Sequence, residues 1–113
     1  MDLAKTDRVK KIADLNDAFR TSLAGGRIVM TSGVAALGLR TQAEALRAVR
    51  AFNAFTPDND PYGEHDFGSF KVAGHKFFWK IDYYHPSLSR HTEDATNPAI
   101  TVRVLTVMLV GEY

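Results

Sequence analysis

Two runs of strand-forming residues, Phe67 to Val72 and Lys76 to Tyr84, meet at Ala73-Gly74-His75, and no other stretch constrains the fold as strongly. A glycine between two such runs predicts a β-hairpin, because a tight turn needs backbone angles that glycine adopts without steric cost. Along the second run Phe77, Trp79, Ile81 and Tyr83 project to one side, and Lys76, Phe78, Lys80, Asp82 and Tyr84 to the other. One face is core and the other is mixed.

The segments around the hairpin supply its cover. From Thr6 to Ala24, Val9, Ile12, Phe19 and Leu23 share one arc of a helical wheel, flanked by Ala13 and Leu15, while the lysines, Asp14 and Asp17 lie elsewhere. Asn16 falls inside the apolar arc, where a buried amide needs hydrogen-bond partners. Gly25-Gly26 ends this helix, and Arg27 to Thr31 reads as a short strand. Thr41 and Glu44 form a capping box ahead of Ala45, Leu46, Val49 and Phe52, leaving Arg40, Arg47 and Arg50 for solvent. The last strand, Ile100 to Val110, is apolar on both faces, so it is expected at the centre of the sheet or with its second face under a helix. The fold class is therefore α+β: two amphipathic helices packed on an antiparallel sheet of about four strands, in the order helix, strand, helix, strand, strand, strand. A chain of 113 residues makes one domain of this kind, 1–113.

With no cysteine, disulfides, thiol nucleophiles and cysteine-rich zinc sites are excluded. The amino terminus lacks a secretory pattern, and the longest apolar run, Val104 to Val110, is too short to span a bilayer, so a cytoplasmic protein without membrane contact is expected. Residues 1–50 carry nine basic and five acidic side chains, residues 51–113 five and eight.

The chemistry-bearing residue types gather in one loop, Thr56 to Gly68, which holds Asp58, Asp60, Glu64, Asp66 and His65 and no lysine or arginine. Such residues suit general acid/base work or a hard cation. Their spacing does not, since in an extended segment Glu64 and Asp66 project away from His65, and the calcium-loop pattern that Asp58-Asn59-Asp60 begins is not completed. His65, His75, His85 and His91 show no zinc-ligand spacing. No cofactor or metal is expected. The aromatic strand is similar to an RNA-stacking platform, but the glycine-aromatic signature is missing and Asp82 and the acidic loop repel phosphate. The charge asymmetry instead suits a basic protein partner, a cation, or no partner at all, and a basic protein partner is the expectation. The expected contact residues are Asp58, Asn59, Asp60, Tyr62, Glu64, His65, Asp66, Asp82 and Tyr84. A small metal-dependent or acid/base hydrolase centred on Glu64, His65 and Asp66 is the alternative, and the oligomeric state stays open.

Phe52 to Gly68 and Phe78 to Tyr84, together with Leu15 to Arg20 and Arg103 to Leu109, resemble a family of small bacterial proteins of unknown function. Its members are often carried on plasmids, conjugative elements and prophage-like regions. The resemblance implies an accessory role in transfer, or inhibition of a host defence system. Within that implication, an acidic, aromatic-bordered surface would occupy the basic surface with which a defence effector binds nucleic acid, by analogy with small inhibitors of CRISPR effectors.

Overall fold

The computed structural model describes residues 3–113, with side chains from residue 5. Its elements run α1 (Leu3–Ser22), β1 (Arg27–Met30), α2 (Ser32–Ala35), α3 (Leu39–Ala51), β2 (Phe67–Val72), β3 (His75–Tyr84) and β4 (Val102–Leu109), with short 3-10 turns at Pro98–Ile100 and Val110–Glu112. The four strands form one sheet in the order β1-β4-β3-β2. The α+β class is as expected, but the sheet is mixed rather than purely antiparallel. β2, β3 and β4 pair antiparallel, whereas β1 lies parallel to β4, with Arg27 opposite Val104 and Met30 opposite Val107. The 85–101 segment reverses the chain after β3, which brings β4 in alongside β1 in the same direction, and β4 takes an inner position in the sheet, the first of the two arrangements its apolar faces suggested.

The hairpin turn places Ala73 at φ 52° and Gly74 at φ 80°, the paired positive angles of a tight type I′ connection. His75 belongs to β3 rather than to the turn. The register then fixes which side chains share a face. Phe77, Trp79 and Ile81 of β3, with Leu105 and Val107 of β4, face the helices and are buried against Phe19, Val34, Ala45 and Val49. Burying each large side chain of this set contributes about 1.5–3 kcal/mol. Across the opposite face run rows such as Phe67, Lys80, Thr106 and Val29.

Three local details depart from the sequence expectation. α1 ends at Ser22, ahead of the glycine pair: the Leu23 amide still donates to the Phe19 carbonyl at 2.7 Å, but Leu23 itself turns left-handed at φ 59°. The segment after β1 coils into α2 instead of simply breaking the strand, because Val34 is drawn completely into the core. α3 starts at Leu39 from Gly38, whose φ of 91° suits glycine, so Thr41 lies inside the first turn and no side chain caps the helix. The opposite end of α3 is served by Arg20. Its Nη1 donates to the Val49 and Arg50 carbonyls at 2.9 and 3.3 Å, placing a cation where the helix carbonyls lack partners. No helix among the described residues is long and apolar enough to cross a membrane.

Candidate functional site

The acidic loop is folded on itself by its own short polar side chains. Asn59 accepts from the Thr56 amide at 2.9 Å and donates to the Ala54 carbonyl at 2.8 Å, and the Asp60 amide donates to the Thr56 carbonyl at 2.8 Å. Asp60 turns inward, its side chain 6% exposed, and accepts from the His65 amide at 3.2 Å. Gly63 and His65 both take left-handed backbone, at φ 73° and 56°. That geometry separates neighbours in sequence. Glu64, His65 and Asp66, the proposed centre of a hydrolase, each meet different partners.

The His65 ring lies between two carboxylates: Nδ1 is 2.9 Å from Asp17 Oδ2 of α1, and Nε2 is 3.6 Å from Asp60 Oδ2. Asp17, expected away from the core arc, thus grips the loop, and it also accepts from Arg20 Nη2 at 3.0 Å. Glu64 accepts the hydroxyl of Tyr83 at 2.9 Å, while its carbonyl accepts Asn16 Nδ2 at 2.9 Å. Asn16 is completely buried, as expected of an amide in the apolar arc. It donates to the Tyr83 oxygen at 2.8 Å and accepts Arg103 Nε at 2.7 Å. A relay, Glu64–Tyr83–Asn16–Arg103, therefore runs through the interior. Burial, with the neighbouring Glu64 and Asp66 charges, holds the Tyr83 hydroxyl far above its usual pKa, so it stays a donor.

What faces outward is a different subset. Asp66, Asp82, Lys80 and Phe67 line an open groove of about 440 Å³ with Tyr62 and Tyr113 on its rim. The two tyrosines are 80% and 75% exposed. Burial first, then the charge of Glu64, pushes the Asp66 carboxyl above its ordinary value; Asp60 and Asp82 add to the effect. Asp82 meets Lys80 at 3.1 Å. Asn59 also lines the groove, and the adjoining Asp58 is exposed. Tyr84 lies beyond it, half-buried and stacked on His91 at 5.1 Å. Of the nine expected contact residues, Asn59, Tyr62, Asp66 and Asp82 line one groove, Asp58 is exposed, Asp60 bonds within the loop, and Glu64 and His65 tie the loop to β3 and α1. The groove also uses Tyr113, which packs edge-on against Phe67 and Phe78 at 6.0 and 5.3 Å, a contact between distant parts of the chain without any local sequence signal. Among the described residues no group of three or more histidine, aspartate or glutamate side chains is placed to hold a metal ion.

Residues 30–112 match the model of a family described as "Protein of unknown function (DUF3768)". No curated protein and no solved structure matches the chain.

Proposed function

We propose that this chain, which belongs to the DUF3768 family of proteins of unknown function, is a non-enzymatic protein-binding module that takes a basic partner surface on the sheet face opposite its core. The supporting observation is the groove that Asp66 and Asp82 line together with two exposed tyrosines, Tyr62 and Tyr113. Aromatic anchors beside carboxylates are the composition of a protein interface, with tyrosine supplying area and acid supplying specificity. The same mixed sheet face continues from it through the apolar side chains of Phe78, Val104 and Val29, the last 43% exposed. A face of this kind on a globular domain marks an interaction site. The partner class that fits is the nucleic-acid-binding surface of a host defence complex, and the module would act by occupying it, on behalf of a mobile element.

The test is capture of purified nucleic-acid-targeting defence effectors by the tagged protein, with the effectors' DNA binding measured alongside. Reversal of Asp66 and Asp82 to lysine, or Tyr62→Ala with Tyr113→Ala, abolishes capture. Arg47→Ala with Arg50→Ala, on a helix surface outside the groove, leaves it intact. Capture that survives the groove variants, or no effect on DNA binding, overturns the proposal.

One observation favours the second reading, a small hydrolase. Asp66 is a carboxyl shifted upward in an open groove, the condition of a general acid. Hydrolysis of an ester or phosphoester panel that is lost in Asp66→Asn, with the fold retained, would establish it.

A further inference from the structure

Arg103 and Arg20 are the two arginines taken into the interior, 5% and 3% exposed, and they are compensated differently. Arg20 has a carboxylate, Asp17, at 3.0 Å in addition to its helix-end carbonyls. Arg103 has none within ion-pair distance among the described residues. Its Nε donates to Asn16 and its Nη2 to the Ala95 carbonyl at 2.6 Å, and its guanidinium lies 5.3 Å from the centre of the Tyr83 ring. All three contacts are neutral groups. The nearest anion reached by hydrogen bonds is Glu64, at the far end of the relay.

Nη1 is left over: it makes no hydrogen bond among the described residues, and it is not among the buried atoms without a partner. Arg103 lines an open cleft of about 270 Å³ between α1 and the approach to β4, with Ala18, Ser22 and Pro98 exposed along it, on the helical side of the sheet and apart from the acidic groove. Leu15, Ala18, Phe19 and Pro98 give that cleft apolar walls, Thr101 a hydroxyl, and Arg103 the charge. Taking a cation out of water costs several kcal/mol unless an anion meets it. Here the guanidinium is desolvated, held in one orientation by Asn16 and Ala95, and open at one nitrogen.

We propose that this cleft binds a small organic acid, with its carboxylate on Arg103 Nη1 and its apolar body against Leu15, Ala18, Phe19 and Pro98. A monocarboxylate fits better than a phosphate, because one guanidinium in apolar walls cannot balance a dianion. A cationic ligand is repelled. Because the guanidinium is already positioned, binding requires little reorganisation of the fold.

The experiment is titration of the isotope-labelled protein with hexanoate, hexanol and hexylamine, followed by amide and arginine Nε shifts. Hexanoate is expected to give saturable shifts at Ala18, Thr101 and Arg103, at least about tenfold tighter than hexanol, the worth of one charge-assisted hydrogen bond. Hexylamine gives none. Arg103→Lys, which loses the planar fork, weakens hexanoate by about tenfold. Because that variant disturbs the relay, Ala18→Trp is the companion: it fills the cleft from α1, spares the relay and abolishes the shifts. Equal binding of hexanol and hexanoate, shifts that persist in Ala18→Trp, or no shift at millimolar hexanoate overturns the proposal. Absence of effector capture by the unaltered protein, with hexanoate binding intact, would refute the groove alone.

Discussion

The imidazole of His65 lies flat on the ring of Phe55, with centroids 3.9 Å apart and planes 2° from parallel. This stack joins the two ends of the acidic loop, and Asp17 fastens it to α1. The loop is thereby held as a rigid shelf beside the groove. His65→Ala is expected to cost about 1–3 kcal/mol, from the lost stack and the lost bond to Asp17. His65→Phe, which keeps the stack alone, should recover part of that loss. Urea unfolding, read by the single buried tryptophan, Trp79, measures both.

Asn16 is the junction on which the interior relay depends, since it serves Arg103, Tyr83 and the Glu64 carbonyl together. Asn16→Leu has similar volume but strands a buried guanidinium, so a loss of about 3 kcal/mol or more is expected. Tyr83→Phe removes one hydroxyl, freeing Glu64 to turn to water but leaving one N–H of the buried Asn16 amide without an acceptor, and should cost about 1–2 kcal/mol. The order of the two midpoints in denaturant is the check.

The Asp66 carboxyl is raised in the folded state by burial and by Glu64. A raised acid favours folding while it is protonated. That contribution is present below the ordinary carboxylate value and is lost as pH rises through the folded value. Asp66→Asn should therefore stabilise the protein at neutral pH, with the gain shrinking toward zero in acid. Thermal melts of the two proteins at pH 7 and at acid pH decide the sign.

A Cβ on Gly68 would collide with the buried indole nitrogen of Trp79 and come 2.8 Å from the Phe52 ring. Gly68→Ala is expected to destabilise by about 1–3 kcal/mol, the usual effect of overpacking. The displaced indole should also shift the tryptophan emission of the folded state. An unchanged midpoint would show that Trp79 can move aside.

The features legible in the sequence are those carried by local patterns. Periodicity marks α1 and α3, alternation separates Phe77, Trp79 and Ile81 from Lys80 and Asp82, and the two-sided apolarity of residues 100–110 places β4 at the centre. Asn16 is recognisable because a polar residue inside an apolar arc is carried into the core with the arc and must find its partners there. The interior arginines are not. Arg20 falls between Val9 and Ala13 on the helical wheel, at the edge of the apolar arc, but its charge gives no sign of burial, which depends on α3 ending against it. Asp17 finds His65 across 48 residues of chain, a separation no window can sense. The acidic loop is conspicuous by composition, yet composition cannot divide it into Asp60, Glu64 and His65, which bond inward, and Asp66, which lines the groove. That division is set by the left-handed backbone at Gly63 and His65.

The parallel pairing of β1 with β4 also governs how the molecule comes into being. Arg27 must wait for Val104 before its ladder can form, and β3 must wait for the same strand on its other edge. Sheets closed by such distant partners assemble slowly, and domains fold as units during synthesis. On the ribosome, everything before residue 102 lacks the strand that joins β1 to the hairpin. A nascent chain stalled there leaves uncovered the core surfaces that Leu105 and Val107 cover in the fold, the kind of exposed apolar surface that invites misassembly.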